Sequence, residues 1–267
     1  MTGHRRAPWA AAAFAAMLAA PALAAEPPSL DQLVGFFDSI ALQDDNSMFG
    51  SAGTVPKPLS RWEGPIRVHI EGGSSGMIAR LDWHLERFRL LSGADIARVT
   101  RREDANLRIS LTTSAEVTQR AGSADTLCLT QYEPDSGAID TADIYIPVGE
   151  TMWLDNCMAH ELMHAVGFYA HPKDNGNRSV LEQGAPARMR TFTALDATAI
   201  RMLYDPRLRI GLTRDRALPI ARALAEQLLR DWPADAADPE PGDPLDPDGF
   251  LARTDPAGNG LAADQTR

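Results

Sequence analysis

The chain has 267 residues, 44% of them apolar, 23% charged and 6% aromatic, which excludes a collagenous, coiled-coil or wholly disordered protein. Its 26 basic residues against 36 acidic ones leave a formal charge of −10, so no phosphate-neutralising surface dominates and no nucleic-acid partner is expected. Two cysteines are too few for a disulfide-dense mini-scaffold, and no C-x-x-C pair marks a zinc ribbon.

The first two dozen residues read as an export leader. His4, Arg5 and Arg6 precede an Ala-rich apolar run over residues 8–23, and Ala22, Leu23 and Ala24 supply the small-residue cleavage pattern, with the cut after Ala24. The alternative is an uncleaved anchor, since the run approaches the length of a membrane span. No later segment is apolar for long enough, so no membrane contact is expected after cleavage. Residues 25–60 are expected to hold a short helix and an irregular segment, and residues 61–232 the main domain. Residues 233–267 carry eight acids, two arginines and six prolines, and cannot bury enough apolar surface to offset their ordering entropy. They read as a disordered acidic tail.

Between these ends, residues 31–42 pattern as an amphipathic helix (Leu33, Val34, Phe36, Phe37, Ile40) with Ser29 as its cap. Residues 44–58 are rich in Gly, Pro and Asn and read as irregular. Residues 66–70 alternate as a strand. A helix over 77–91 buries Ile78, Leu81, Leu85, Phe88 and Leu91, with Gly93 just past its end. Leu107, Ile109 and Leu111 give a second strand. Residues 127–132 and 139–146 give two more, separated by the turn-like Pro134-Asp135-Ser136-Gly137. Helices follow over 152–168, 195–203 and 214–229. Strands first and helices afterwards predict an α+β domain with a mixed sheet, not a doubly wound one.

The chemistry is concentrated at residues 160–171, His-Glu-Leu-Met-His-Ala-Val-Gly-Phe-Tyr-Ala-His. On a helix, His160 and His164 stand one turn apart on one face, so both imidazoles can reach one ion. Glu161 is rotated by about 100° from His160, which lets it approach a water on that ion as general base without ligating the metal. With six His and twelve Glu in the chain, chance supplies roughly 0.006 such H-E-x-x-H matches. The helix is otherwise apolar (Trp153, Leu154, Met158, Leu162, Val166, Phe168), where unpartnered imidazoles would be costly. Gly167 ends the helix and turns the chain, making His171 the first choice for a third zinc ligand, with Asp174 and Glu182 as alternatives.

Residues 160–169, HELMHAVGFY, resemble the zinc-binding helix of the metzincin peptidases, and of astacins especially. The resemblance implies a zincin-like fold, three His ligands to Zn2+, and Glu161 as the base of an exported metallopeptidase acting on protein or peptide substrates. The chain departs from the pattern H-E-x-x-H-x-x-G-x-x-H by one residue: Ala170 stands where the third His belongs, and His171 follows it. Ser179-Val180-Leu181 falls where metzincins place a Met-containing turn, with Leu181 in the Met position. Residues 192–204 are similar to the helix that follows that turn in matrixins. A second resemblance is to a family of secreted bacterial proteins carrying a domain of unknown function. It covers about residues 30–212 through Arg61-Trp62, the Cys157 helix, Arg178-Ser179-Val180 and Leu203-Tyr204-Asp205-Pro206. Two other readings stand beside the peptidase: a zinc amidase of the cell wall, and a binding or scaffold module with an idle metal site.

Cys128 and Cys157 are expected to be oxidised in an exported chain, pinning the motif helix to the sheet. The loop of about 30 residues would contribute roughly 3.6 kcal/mol in the chain-entropy model. The rival role is Cys157 as a metal ligand, because residues 157, 160 and 164 share a helix face. His69 and His84 read as packed or surface residues. The strand over 139–146 is either an exposed edge that aligns an extended peptide or an interior strand. Tyr145, Tyr169 and Tyr204 are candidates to hold an oxyanion.

Overall fold

A computed structural model describes residues 27–44, 55–132, 137–148, 154–172, 178–182, 191–230 and 232. The expected leader, the acidic tail, Trp153 and Asp174 lie outside these residues.

The N-terminal helix α1 (Leu30–Ala41) starts as its sequence predicts. The Ser29 hydroxyl accepts the Gln32 amide and the Gln32 side chain accepts the Ser29 amide, closing a capping box. Leu33, Phe36, Phe37 and Ile40 form its buried stripe. Two short strands, β1 (Gln43–Asp44) and β2 (Val55–Pro56), pair antiparallel in the stretch read as irregular.

The main sheet contains β3 (Ile66–Gly72), β4 (Ile96–Arg98), β5 (Leu107–Thr112), β6 (Leu129–Tyr132) and β7 (Ala142–Pro147), in the order β4-β3-β5-β7-β6. The β3-β4, β3-β5 and β5-β7 pairs are parallel, and β6 runs antiparallel to β7 at the edge. Parallel neighbours need a long crossover, and α2 (Ser75–Ser92) supplies the one from β3 to β4. It ends at Gly93 in the left-handed region, as the glycine predicts. The result is a mixed α/β domain with a mixed sheet, consistent with the α+β expectation.

Registered rows Val68–Leu107–Ala142 and Ile70–Ile109–Ile144 bury one sheet face against the helices. The opposite face carries polar groups, including an Arg108–Asp143 pair at 2.6 Å and a Ser110–Glu71 hydrogen bond at 2.7 Å. There α3 (Ser114–Ala121) packs Val117 against Leu129 and Tyr145. Sequence periodicity missed α3 and β4 because each buries a single side chain. The 139–146 strand proves interior: β7 is flanked by β5 and β6 and is buried along almost its whole length.

Helix α4 (Leu154–Ala165) lies against β6 and β7, and a disulfide joins Cys157 on it to Cys128, one residue before β6. Cys157 as a metal ligand is thereby excluded. Helices α5 (Ala194–Leu203) and α6 (Arg214–Arg230) complete the layer, α6 beside α1 with Arg214 and Arg222 paired to Asp38 and Asp31. No described helix is long and apolar enough to cross a membrane.

Candidate metal centre

Three groups outside α4 define its C-terminal end. The indole N–H of Trp62 donates to the Ala165 carbonyl at 2.8 Å, and the Tyr204 hydroxyl donates to the Val166 carbonyl at 3.1 Å, satisfying acceptors that a helix end leaves open. At Gly167 φ is +123°, and a Cβ there would sit 2.2 Å from the Ser60 carbonyl oxygen. Only glycine fits this turn. The chain then docks on α1, with the Tyr169 amide donating to the Ile40 carbonyl at 2.8 Å. This path absorbs the extra residue at Ala170, which is buried, and returns His171 to the helix face.

The three imidazoles meet there. Nε2 of His160 lies 3.1 Å from Nε2 of His164 and 3.2 Å from Nε2 of His171, and the third side of the triangle is 3.3 Å. Nδ1 of His160 donates to the Val180 carbonyl at 2.7 Å, and Nδ1 of His164 donates to the Phe168 carbonyl at 2.7 Å. A carbonyl oxygen only accepts, so both Nδ1 atoms carry hydrogen and both neutral rings present bare Nε2 lone pairs. Two such lone pairs at 3.1 Å repel unless a proton or cation lies between them. Tetrahedral coordination at a metal–nitrogen distance of about 2.0–2.1 Å sets nitrogens roughly 3.3 Å apart, close to the observed triangle. The donor set therefore fits one small divalent ion with three protein ligands.

Glu161 is 3% exposed on the same helix, and its backbone carbonyl accepts the Thr130 hydroxyl of β6 at 2.9 Å. Burial pushes its carboxyl up to about 7, against the pull of Thr130 and of the nearby His171. Of the alternative ligands, Glu182 is turned to other use, its Oε1 accepting the Arg178 amide at 3.2 Å.

Two of the three tyrosines are engaged elsewhere. Tyr145 lies on the far sheet face under Arg120, and Tyr204 caps α4 against Phe88. Tyr169 stacks on Tyr132 of β6 with Lys57 over its ring. His69 approaches the Val99 carbonyl at 3.4 Å and His84 is fully buried, so neither joins the trio, as expected.

Sequence reasoning overlooked the support beneath His160. The 179–181 turn is held by Asp196 of α5, which is 0% exposed. Burial pushes its carboxyl up to about 6, opposed first by the Ser179 hydroxyl and then by donors from Thr193 and Val180. The available signal was Thr193-x-x-Asp196, a capping-box spacing just before an apolar helix.

The fold and site thus define a mixed α/β domain with a trihistidine cluster at the end of a buried helix, two of its members on the helix and one on the segment after it. The chain belongs to the DUF2927 family of proteins of unknown function, whose model matches residues 31–223. No curated protein matches it.

Proposed function

We propose that this chain is an exported zinc-dependent peptidase with a zincin-like fold, in which His160, His164 and His171 hold the metal and Glu161 is the general base. The observation that carries the reading is the triangle of Nε2 atoms, two of them held as bare lone pairs by carbonyl partners. Three imidazoles are a donor set suited to zinc, and three protein ligands leave a fourth position open for water or substrate. Bound zinc would acidify that water and polarise a substrate carbonyl. Glu161, next to His160 in the chain, would take a proton from that water and return it to the departing amine. β6 is the edge strand of the sheet, and an extended peptide added along such an edge would favour a peptide substrate over a cell-wall amide. The leader pattern and the Cys128–Cys157 bond support export to an oxidising compartment.

Metal analysis with peptide-library cleavage tests this. The purified protein is expected to carry about one zinc per chain, lost in His160→Ala or His164→Ala. Glu161→Gln is expected to keep zinc and slow cleavage by roughly 100-fold or more. A folded, zinc-loaded Glu161→Gln protein that cleaves like the wild type refutes the assigned base. Zinc without any cleavage returns the chain to a binding module.

A further inference from the structure

We infer that Asp196 is a positioning residue for the metal centre, fixing the imidazole of His160 through the backbone of the 179–181 turn. The inference rests on the metal-site reading above and adds to it a residue from another helix, far in sequence from the motif.

As residue N3 of α5, Asp196 needs only one bond to complete the capping box, that from the Thr193 amide to Oδ2 at 2.9 Å. It accepts more. Its Oδ1 takes the Ser179 hydroxyl at 2.6 Å, and Oδ2 also takes the Val180 amide at 3.1 Å. The Thr193 hydroxyl, 2.9 Å from Oδ2 and 2.7 Å from the Arg178 carbonyl, ties the cap to the same turn. The Ser179 oxygen in turn accepts the Leu181 amide at 3.0 Å. A carboxylate that is 0% exposed thus collects donors from a segment sixteen residues upstream, which a helix cap does not require.

What the surplus bonds fix is the backbone on both sides of the Val180 Cα, its own amide through Oδ2 and the Leu181 amide through the Ser179 hydroxyl. The Val180 N–H points at Asp196, and the Val180 carbonyl receives Nδ1–H of His160 at 2.7 Å. The path runs carboxylate, amide, carbonyl, imidazole. It sets the ring orientation of His160 and the tautomer that leaves Nε2 bare, the task outer partners perform for metal-bound histidines. His164 does not depend on it, because its partner is the Phe168 carbonyl four residues on. Removing the carboxylate is therefore expected to loosen one ligand of the three.

The test compares wild type, Asp196→Asn, Ser179→Ala and Thr198→Ala, the last losing only a hydroxyl bond to the Ala194 carbonyl inside α5. Long-range nitrogen–proton NMR on metal-free protein reads the His160 tautomer, and chelator competition reads zinc affinity. Wild type is expected to show His160 as the Nδ1–H form. Asp196→Asn is expected to mix tautomers at His160 but not at His164 and to weaken zinc by roughly 10–100-fold, with an altered cobalt absorption spectrum. Ser179→Ala should weaken zinc by a smaller factor, and Thr198→Ala should leave both readouts unchanged. A folded Asp196→Asn protein with wild-type tautomers and zinc affinity overturns the inference. If Asp196→Asn does not fold, Ser179→Ala decides in the same way. Wild type with the expected tautomers but no zinc uptake instead refutes the metal site itself.

Discussion

Gly167 shows how much of the centre rests on one missing side chain. The turn after α4 needs a positive φ and passes so close to Ser60 that a Cβ would overlap its carbonyl oxygen. Gly167→Ala is expected to destabilise the fold by roughly 2–3 kcal/mol and to lower zinc affinity, since His171 reaches the other imidazoles only through this turn. Thermal unfolding and chelator competition check both; wild-type values in each would mean that the backbone can shift at no cost. At this scale the motif residues were legible, because H-E-x-x-H followed by Gly constrains chemistry and geometry together. His171 was legible only as the first of three choices. What selected it was docking of the following segment on Ile40, a contact with no trace in local sequence.

Between elements, α4 and β6 are joined twice, by the Cys128–Cys157 bond and by the Thr130 hydroxyl on the Glu161 carbonyl. These links hold the edge strand against the helix that carries Glu161. Replacing both cysteines with serine is expected to cost roughly 3–4 kcal/mol in urea denaturation and to speed amide hydrogen exchange at Leu129–Tyr132. Unchanged exchange in β6 would show that the ladder to β7 alone fixes the edge. The pairing of the cysteines was legible from their number and the expected oxidising compartment. The edge was not: residues 139–146 and 127–132 are both short apolar strands, and only their order in the sheet made the first interior and the second terminal.

For the whole molecule, His84 links stability to pH. It is 1% exposed beneath α5, edge-on to Phe192, and burial with the nearby Arg87 and Arg80 lowers its pKa from 6.5 to about 3. A base whose folded pKa lies below its unfolded value takes up its proton mainly on unfolding, so its neutral form favours the fold above about pH 6.5. That contribution declines as the pH falls towards 3. The full window corresponds to roughly 5 kcal/mol. Glu161 and Asp196, both raised by burial, act in the opposite sense, so the informative quantity is a difference between proteins. His84→Leu is expected to gain on the wild type as the pH falls from 6.5 to 4 in urea titrations; a constant difference would show that His84 does not titrate with unfolding. By itself the sequence determined the main helices, four of the strands, the histidine pair with its neighbouring carboxylate, and the partnership of the two cysteines. Each of these is written in spacings of a few residues or in residue counts. Only the tertiary structure decided the third imidazole, the edge strand and the carboxylate beneath the 179–181 turn. Those depend on which distant segments share one buried volume, and short-range periodicity carries no record of that.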